Sequence, residues 1–360
     1  MKLLEDVPLA PKTTLGVGGR ARFYCNAASE SELEAALDWA RRHRTPLSIL
    51  GGGSNVVIAD EGFDGLVVRM ALTGVETEPQ EDRVCVRAMA GESWDEFVTN
   101  QVAKELQGLE CLSGIPGLVG ATPIQNVGAY GQEVSETIVE VRALNVATGE
   151  YTHFSNRDCK FAYRDSAFKR ELRGQYVVTR VDFELSRGAA PAVRYEELAR
   201  AIEANSRPGA MPSLSEVASL VRELRRKKSM LLVSGDENSR SCGSFFVNPV
   251  VPRETLERVR QVVGSANVPS YPESDGRVKL PAAWLIEQSG LGKGHNKGRV
   301  GLSTRHTLAL VCHDGASAQE VVAFAREVRA RVEEHFGILM VPEPAFWGFA
   351  ALEHGLPSVA

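Results

Sequence analysis

The stretch SGIPGLVGATPIQNVGAYG, residues 113–131, holds five glycines and two prolines. Proline removes backbone donors and glycine favours neither helix nor strand, so no single regular element can cross it. It must be a long loop fixed by the elements on either side. A second glycine-rich stretch, LGGGSN at 50–55, follows directly on the short apolar run PLSIL. Around these loops the pattern is mixed. Ser29-Glu-Ser-Glu32 is a capping box, and Leu33, Ala36, Leu37 and Ala40 share one face of a helix predicted to end near Arg44, ahead of Pro46. PLSIL, VVIA, GLVVRM and RVCVRAM (83–89) read as strands, and 92–106 as a helix. IVEVRALNV, the turn ATGE and YTHF predict a hairpin, and 175–185 a further strand. The chain up to about residue 187 is thus expected to be an α+β unit rich in sheet.

A polar break at 187–193 leads into 188–212, which holds one short helix, YEELARAIEA, and looks like an insertion. From Ser213 helical patterns dominate: SLSEVASLVRELRRKK, PRETLERVRQVV and PAAWLIEQSG. The last long helix opens on a capping box (Ser317, Glu320), closes on Gly337, and carries Val321, Phe324, Val328 and Val332 on one stripe. A strand, ILMV, is expected before PEPAFWG. At 360 residues the chain is long enough for two or three domains. Its 43% hydrophobic and 24% charged residues are ordinary for a globular protein and exclude disorder. A net charge of −5 argues against nucleic-acid binding by bulk charge. No apolar run approaches the roughly 18–20 residues of a spanning helix, so no membrane insertion is expected. MKLLEDVPLAPK lacks the apolar stretch of a signal peptide, and the expected compartment is cytoplasmic. Six scattered cysteines without a C-x-x-C pair read as reduced, mostly buried thiols. The seven histidines show no metal-ligand spacing, and no metal is expected.

LGGGSN follows a strand as a dinucleotide loop would, but runs straight into VVIA, another extended segment. The Rossmann arrangement needs a helix there, and a P-loop needs Gly-Lys-Ser/Thr. What remains is a strand–turn–strand whose bare backbone N–H groups can approach an anion. Alone it reads most simply as a tight turn. Joined with 113–131, which adds Ser113, Thr122, Gln125 and Asn126 as uncharged donors, it suits a long diphosphate cofactor.

ILGGGSN, IPGLVGATPIQNVGAYG, YRDSAFK, SCGSFF-x-NP and VPEP, in this order, closely resemble the UDP-N-acetylenolpyruvoylglucosamine reductases, flavoenzymes of bacterial peptidoglycan precursor synthesis. The resemblance runs from about Thr14 to Gly348. It implies an α+β fold: a two-lobed FAD-binding domain of the vanillyl-alcohol-oxidase (PCMH) type and a separate α+β substrate-binding domain. The boundaries it suggests are 14–187 for the FAD domain (lobes 14–70 and 71–187) and 188–212 for an insertion of the family's longer type. The substrate domain would be 213–337, and 338–360 a strand and tail returning to the first lobe. FAD would be held by Gly51, Gly52, Gly53, Ser54 and Asn55, and by Ser113, Gly114, Ile115, Pro116, Gly117, Gly120, Ala121, Thr122, Gln125, Asn126, Gly128, Ala129 and Tyr130. With no His at 51–55, non-covalent FAD is expected.

The implied reaction has NADPH reduce FAD, which then reduces the C=C bond of an enolpyruvyl ether on a nucleotide sugar. Such a site needs fixed positive charge at the substrate carboxylate, a proton donor over the developing carbanion, and little water. Arg164 in FAYRDS offers the planar fork that matches a carboxylate, although pairing with Asp165 is the simpler reading of that segment alone. Ser244 in SCGSFF is the implied proton donor, and Glu343 in VPEP a partner in stabilising or protonating the intermediate. Lys228 (or Lys227) is implied at a phosphate, Tyr195 over the diphosphate, and Asn248 as a further substrate contact. Val247 stands where relatives often carry Lys. His306 reads as structural. A monomer is expected. A flavin oxidase and a nucleotide-sugar binding protein with a structural flavin are the competing readings.

Overall fold

Ser29 caps helix α1 (Glu30–His43), its hydroxyl accepting the Glu32 N–H at 3.2 Å while the Glu32 carboxylate takes the Ala28 N–H at 2.9 Å. Arg44 ends the helix in the left-handed conformation at φ +50°. The predicted face, Leu33, Ala36, Leu37 and Ala40, is the buried one. It shares a core with Leu66 and Val68 of a four-stranded sheet. That sheet runs in the order Leu4–Pro8, Arg20–Ala27, Phe63–Met70, Leu47–Leu50, with the last pair parallel. This computed structural model describes residues 1–205, 209 and 211–357. Residues 206–208 and 210 of the expected insertion, and 358–360 of the expected tail, lie outside the described residues.

The chain divides into two compact units. The first comprises Met1–Val7, Ala21–Gly52 and Asp64–Lys227; the second comprises Pro8–Arg20, Gly53–Phe63 and the chain from Lys228 onward. In the first unit a second lobe joins the four-stranded sheet. Its larger sheet runs Tyr151–Ser155, Ile138–Asn145, Tyr176–Arg187, Arg83–Met89, Val75–Gln80, antiparallel throughout, with Leu106–Gln107 also pairing on Tyr176–Arg187. Helix α2 (Trp94–Ala103) packs on it through Trp94 and Phe97, whose rings meet Phe183 at 6.0 and 5.1 Å. Helices α3 (Glu196–Asn205) and α4 (Leu214–Lys227) complete the unit.

The boundary expected at 187–213 therefore moves to 227/228. Val217 and Val221 of α4 pack with Cys111, Leu198 and Ile202, and Leu214 and Ala218 join the core beneath the larger sheet. Burial of that stripe ties α4 and the insertion to the first unit. The expected first lobe, 14–70, is likewise interrupted. In the second unit Val56–Ile58 pairs in parallel with Ala345–Trp347, and the Asp60 carboxylate accepts the Ala318 and Gln319 N–H groups at 2.7 and 2.9 Å. Three hydrogen-bonding partners of that kind outweigh proximity in sequence.

The second unit holds α5 (Arg253–Val263), α6 (Ala282–Gln288) and α7 (Ala318–Phe336). They accompany an antiparallel sheet in the order Ser241–Ser244, Ala309–Cys312, Val300–Leu302, Asn296–Lys297. The capping box of α7 forms as expected, with Ser317 and Glu320 bonding reciprocally and Gly337 at φ +66°. Val321, Phe324, Val328 and Val332 are buried. The expected strand ILMV is not a strand; the strand is Ala345–Trp347. Pro342 and Pro344 lack N–H donors and so keep this segment from a continuous ladder; the strand starts at Ala345, whose N–H reaches the Asn55 carbonyl at 3.1 Å. All six cysteines are free thiols, five of them buried. Among the described residues no helix is long and apolar enough to cross a membrane, and no group of His, Cys, Asp or Glu could hold a metal ion.

Candidate active site

In the first unit the two glycine loops touch. A Cβ on Gly52 would lie 2.7 Å from the Gly117 Cα, backbone against backbone. Gly51 differs: the nearest atom to a Cβ there is the Leu118 Cδ1 at 3.9 Å. Among the described residues, the N–H groups of Gly51, Gly52 and Gly53 donate to no backbone acceptor. Buried or semi-buried N–H groups need partners, so this turn presents donors and no side chains. In the second unit Gly53, at φ +66°, is packed so closely on the Lys12 carbonyl that no Cβ fits, and its own carbonyl accepts the Thr14 N–H at 3.0 Å.

Of the side-chain donors expected of 113–131, Ser113, Thr122 and Asn126 bond to protein groups in and around that loop. The Ser113 hydroxyl donates to the Glu110 carbonyl and Thr122 to Val119, each at 2.8 Å. Asn126 donates to Glu133 at 2.6 Å and to the Ala162 carbonyl at 3.0 Å, and its oxygen accepts the Ser135 N–H at 3.1 Å. The loop is braced from outside as well: the Gly114 N–H reaches Asp95 at 2.6 Å, and Trp94 takes the Gly117 carbonyl through its own N–H. Tyr130 (φ +49°) and Gly131 (φ +80°) form a two-residue hairpin turn between Gly128–Ala129 and Gln132–Glu133. The loop thus offers a rigid backbone surface. An extended cofactor with an anionic centre fits it: unused N–H groups, a bare Gly51, and side chains that do not project to compete.

Arg164 sits at the tip of a tight turn closed by mutual Ala162–Asp165 backbone bonds, and its φ is +53°. A non-glycine residue there costs about 1–3 kcal/mol. Its guanidinium donates to the Gly128 carbonyl at 2.5 Å and lies 5.5 Å from the Tyr163 ring. Gly128 makes this possible, since a Cβ would come within 3.1 Å of Arg164 Nη1. Asp165 pairs with Arg170. Tyr195 is half-buried and meets Tyr130 edge to face at 5.6 Å.

In the second unit Ser244 ends the strand Ser241–Ser244, which carries a bulge: Ser241 faces Val311 but Ser244 faces Ala309. Gly243, at φ +75°, absorbs the extra residue. Phe245 and Phe246 are fully buried beside it. The VPEP segment runs alongside, with the Glu343 N–H on the Phe245 carbonyl at 2.8 Å, the Val247 N–H on the Val341 carbonyl at 3.0 Å, and a bridge between Phe246 and Pro342. Ser244 and Glu343 are therefore brought to neighbouring positions. Lys227 pairs with Glu223 at 2.7 Å on α4. Lys228, by contrast, acts with Lys293 on His306, whose pKa burial first and these ammonium groups second push down to about 4. The Asn248 side-chain oxygen accepts the Ala282 N–H at 2.9 Å and so fixes the start of α6.

Two family models match the chain: "FAD binding domain" over residues 21–155, and "UDP-N-acetylenolpyruvoylglucosamine reductase, C-terminal domain" over 236–347. The UDP-N-acetylenolpyruvoylglucosamine reductase of Thermobifida fusca is 47% identical over 351 residues, covering 96% of this chain and 98% of that one. The chain belongs to the UDP-N-acetylenolpyruvoylglucosamine reductase family. The reductase of Streptomyces coelicolor is 44% identical over 354 residues, covering 96% and 91% of the two chains. A crystal structure of the reductase from Thermus caldophilus, 23% identical, superposes with a TM-score of 0.62 over 96% of this chain and 98% of that one. The fold is accordingly that of the family, a two-lobed FAD-binding domain with a separate C-terminal domain, and the cofactor is FAD.

Two groups of this reductase escaped sequence reasoning. Asp95 accepts both the Gly114 N–H and Arg222. Arg225, near the end of the helical run SLSEVASLVRELRRKK, is half-buried; burial pushes its pKa down to about 10, with Arg164 and Arg222 adding to the shift and Tyr130 and Asp95 opposing it. The signal was present: Arg222 and Arg225 fall four residues after Ala218 and Val221, on the stripe α4 buries.

Proposed function

We propose that Arg164, Ser244 and Glu343 carry the chemistry of this family in the present chain. The reaction is the NADPH-dependent reduction of UDP-N-acetylglucosamine enolpyruvate to UDP-N-acetylmuramate, in peptidoglycan precursor synthesis. Bound FAD would supply the two-electron carrier between NADPH and the substrate's C=C bond. Arg164 holds the enolpyruvyl carboxylate with its planar fork and stabilises the negative charge that spreads onto it. Ser244 delivers its proton to the carbon next to that carboxylate. A serine hydroxyl is a weak acid, and only an acceptor as basic as a carbanion draws its proton. Glu343 stabilises the intermediate or returns the proton to Ser244. The observation that carries this reading is the Glu343–Phe245 backbone bond, which holds the VPEP segment alongside the residue that follows Ser244.

Residues 51–55 and 113–131 would hold FAD non-covalently, chiefly through backbone N–H groups. Lys228, Tyr195 and Asn248 bind the UDP portion. We infer further that the chain acts as a monomer in the cytoplasm. The test is a visible spectrum under anaerobic conditions. The yellow protein should bleach with NADPH and regain its colour with the enolpyruvyl nucleotide sugar. Recovery with oxygen alone points to an oxidase, and no bleaching to a structural flavin.

A further inference from the structure

We infer that Glu110 is a positioning residue which, with Cys111, clamps the Tyr195-bearing segment onto the second glycine loop and so sets where Tyr195 meets substrate. This rests on the reading above that Tyr195 lies over the diphosphate. Glu110 is 0% exposed, in a short 3-10 turn immediately before Ser113. Its two carboxyl oxygens accept different backbone donors, Gly108 N–H at 2.9 Å and Ala192 N–H at 2.9 Å. The neighbouring Cys111 thiol donates to the Ala192 carbonyl at 3.3 Å. The N–H and the C=O of one residue, three ahead of Tyr195, are thus held by two consecutive residues.

The clamp continues along the segment. Arg194 reaches Glu136 at 2.7 Å and the Gly131 carbonyl at 3.4 Å, and Gly131 passes so close that a Cβ there would lie 3.1 Å from the Arg194 Cβ. Tyr195 then packs edge to face on Tyr130. Cys111 also lies in the small core formed with Leu198, Ile202, Val217 and Val221, so the clamp and the helix that follows share one foundation. A buried carboxyl group spanning two chain segments has no part in the electron-transfer chemistry. Its work is to hold 192–195 in register with 110–131, and the substrate-binding tyrosine inherits that register.

The experiment uses the flavin-loaded protein with Glu110→Gln, Ala192→Pro, Tyr195→Phe and the Glu110→Gln/Tyr195→Phe double variant. Gln replaces one acceptor by an NH₂ group facing an N–H, and Pro removes the Ala192 donor from the other side. KM for the nucleotide sugar should rise about tenfold in Glu110→Gln and in Ala192→Pro, with kcat and the rate of flavin reduction by NADPH held within about twofold. Hydrogen exchange of amides 192–200 should quicken in both. In the Tyr195→Phe background Glu110→Gln should add little, because both changes act through one side chain. Additive effects on KM, a fall in kcat at constant KM, or unchanged exchange would each overturn the inference. Should Glu110→Gln lose flavin, Ala192→Pro decides alone, by the same KM and exchange criteria. If Tyr195→Phe leaves KM unaltered, it is the diphosphate reading that fails, and the exchange rates still decide whether Glu110 clamps the segment.

Discussion

Substituting the paired glycines one at a time separates loop packing from cofactor binding. An added Cβ at Gly52 would stand 2.7 Å from Gly117 Cα and 3.3 Å from its N and C atoms. Carbon atoms rest at about 3.5–4.0 Å, so Gly52→Ala forces the two loops about 1 Å apart. Backbone cannot rotate away as a side chain can. Overpacking of this kind costs about 1–3 kcal/mol, which for a unit of this size lowers Tm by about 2–12 °C. The loss should appear in apo protein as well as in the FAD-loaded form. Gly51→Val meets only the Leu118 methyl at ordinary contact distance. Its apo Tm should stay within about 2 °C of the parent, while its branched side chain covers the N–H groups facing the cofactor. Excess FAD should raise Tm of the parent by mass action and leave Gly51→Val unmoved. The assay is flavin absorbance per protein after gel filtration, with melting curves on apo and FAD-supplemented samples. A fully yellow Gly51→Val, or a Gly52→Ala as stable as the parent, would refute this account of the loops.

Ser244→Ala should still be reduced by NADPH at nearly the normal rate, while reoxidation by the enolpyruvyl substrate slows by about 10²–10⁴-fold; anaerobic stopped-flow reads both directions, and equal slowing of both would remove the proton-donor role. Ser244→Cys should recover part of the rate, a thiol being the stronger acid, and Arg164→Lys should slow the same half-reaction, since a point charge cannot grip a carboxylate as a fork does. Lys228→Ala should raise KM more than it lowers kcat, whereas Lys227→Ala, which only breaks an exposed pair with Glu223, should leave both alone; steady-state kinetics would expose the reverse pattern. The His306 imidazole, held down to about 4 against about 6.5 in an unfolded chain, leaves a proton on the unfolded state alone between those pH values. Stability should therefore fall as pH drops through that window, by about 2 kcal/mol at pH 5 from this group. His306→Gln should lose correspondingly less between pH 7 and pH 5 in urea titrations, and an equal loss would remove His306 as the cause.

The elements whose reasons are local were legible in the chain. The Ser29 and Ser317 caps, the buried stripes of α1 and α7, and the hairpin of 138–155 follow from hydrogen bonds and periodicities a few residues long. The glycine loops stood out by their composition, whereas Arg164, Ser244 and Glu343 were marked only by the resemblance of the motifs that carry them. Tertiary structure decided what depends on distant partners. Residues 53–63 leave the unit of their sequence neighbours because Val56–Ile58 finds Ala345–Trp347 and Asp60 finds the start of α7. α4 joins the first unit because its apolar stripe meets Cys111 and α3, and that same packing carries Arg225 inward. Glu110 looks like any acidic residue in a row; only the fold places Ala192, 82 positions away, against its carboxyl group. Short-range rules are written in adjacent residues, whereas burial and long-range pairing exist only once the chain has closed on itself.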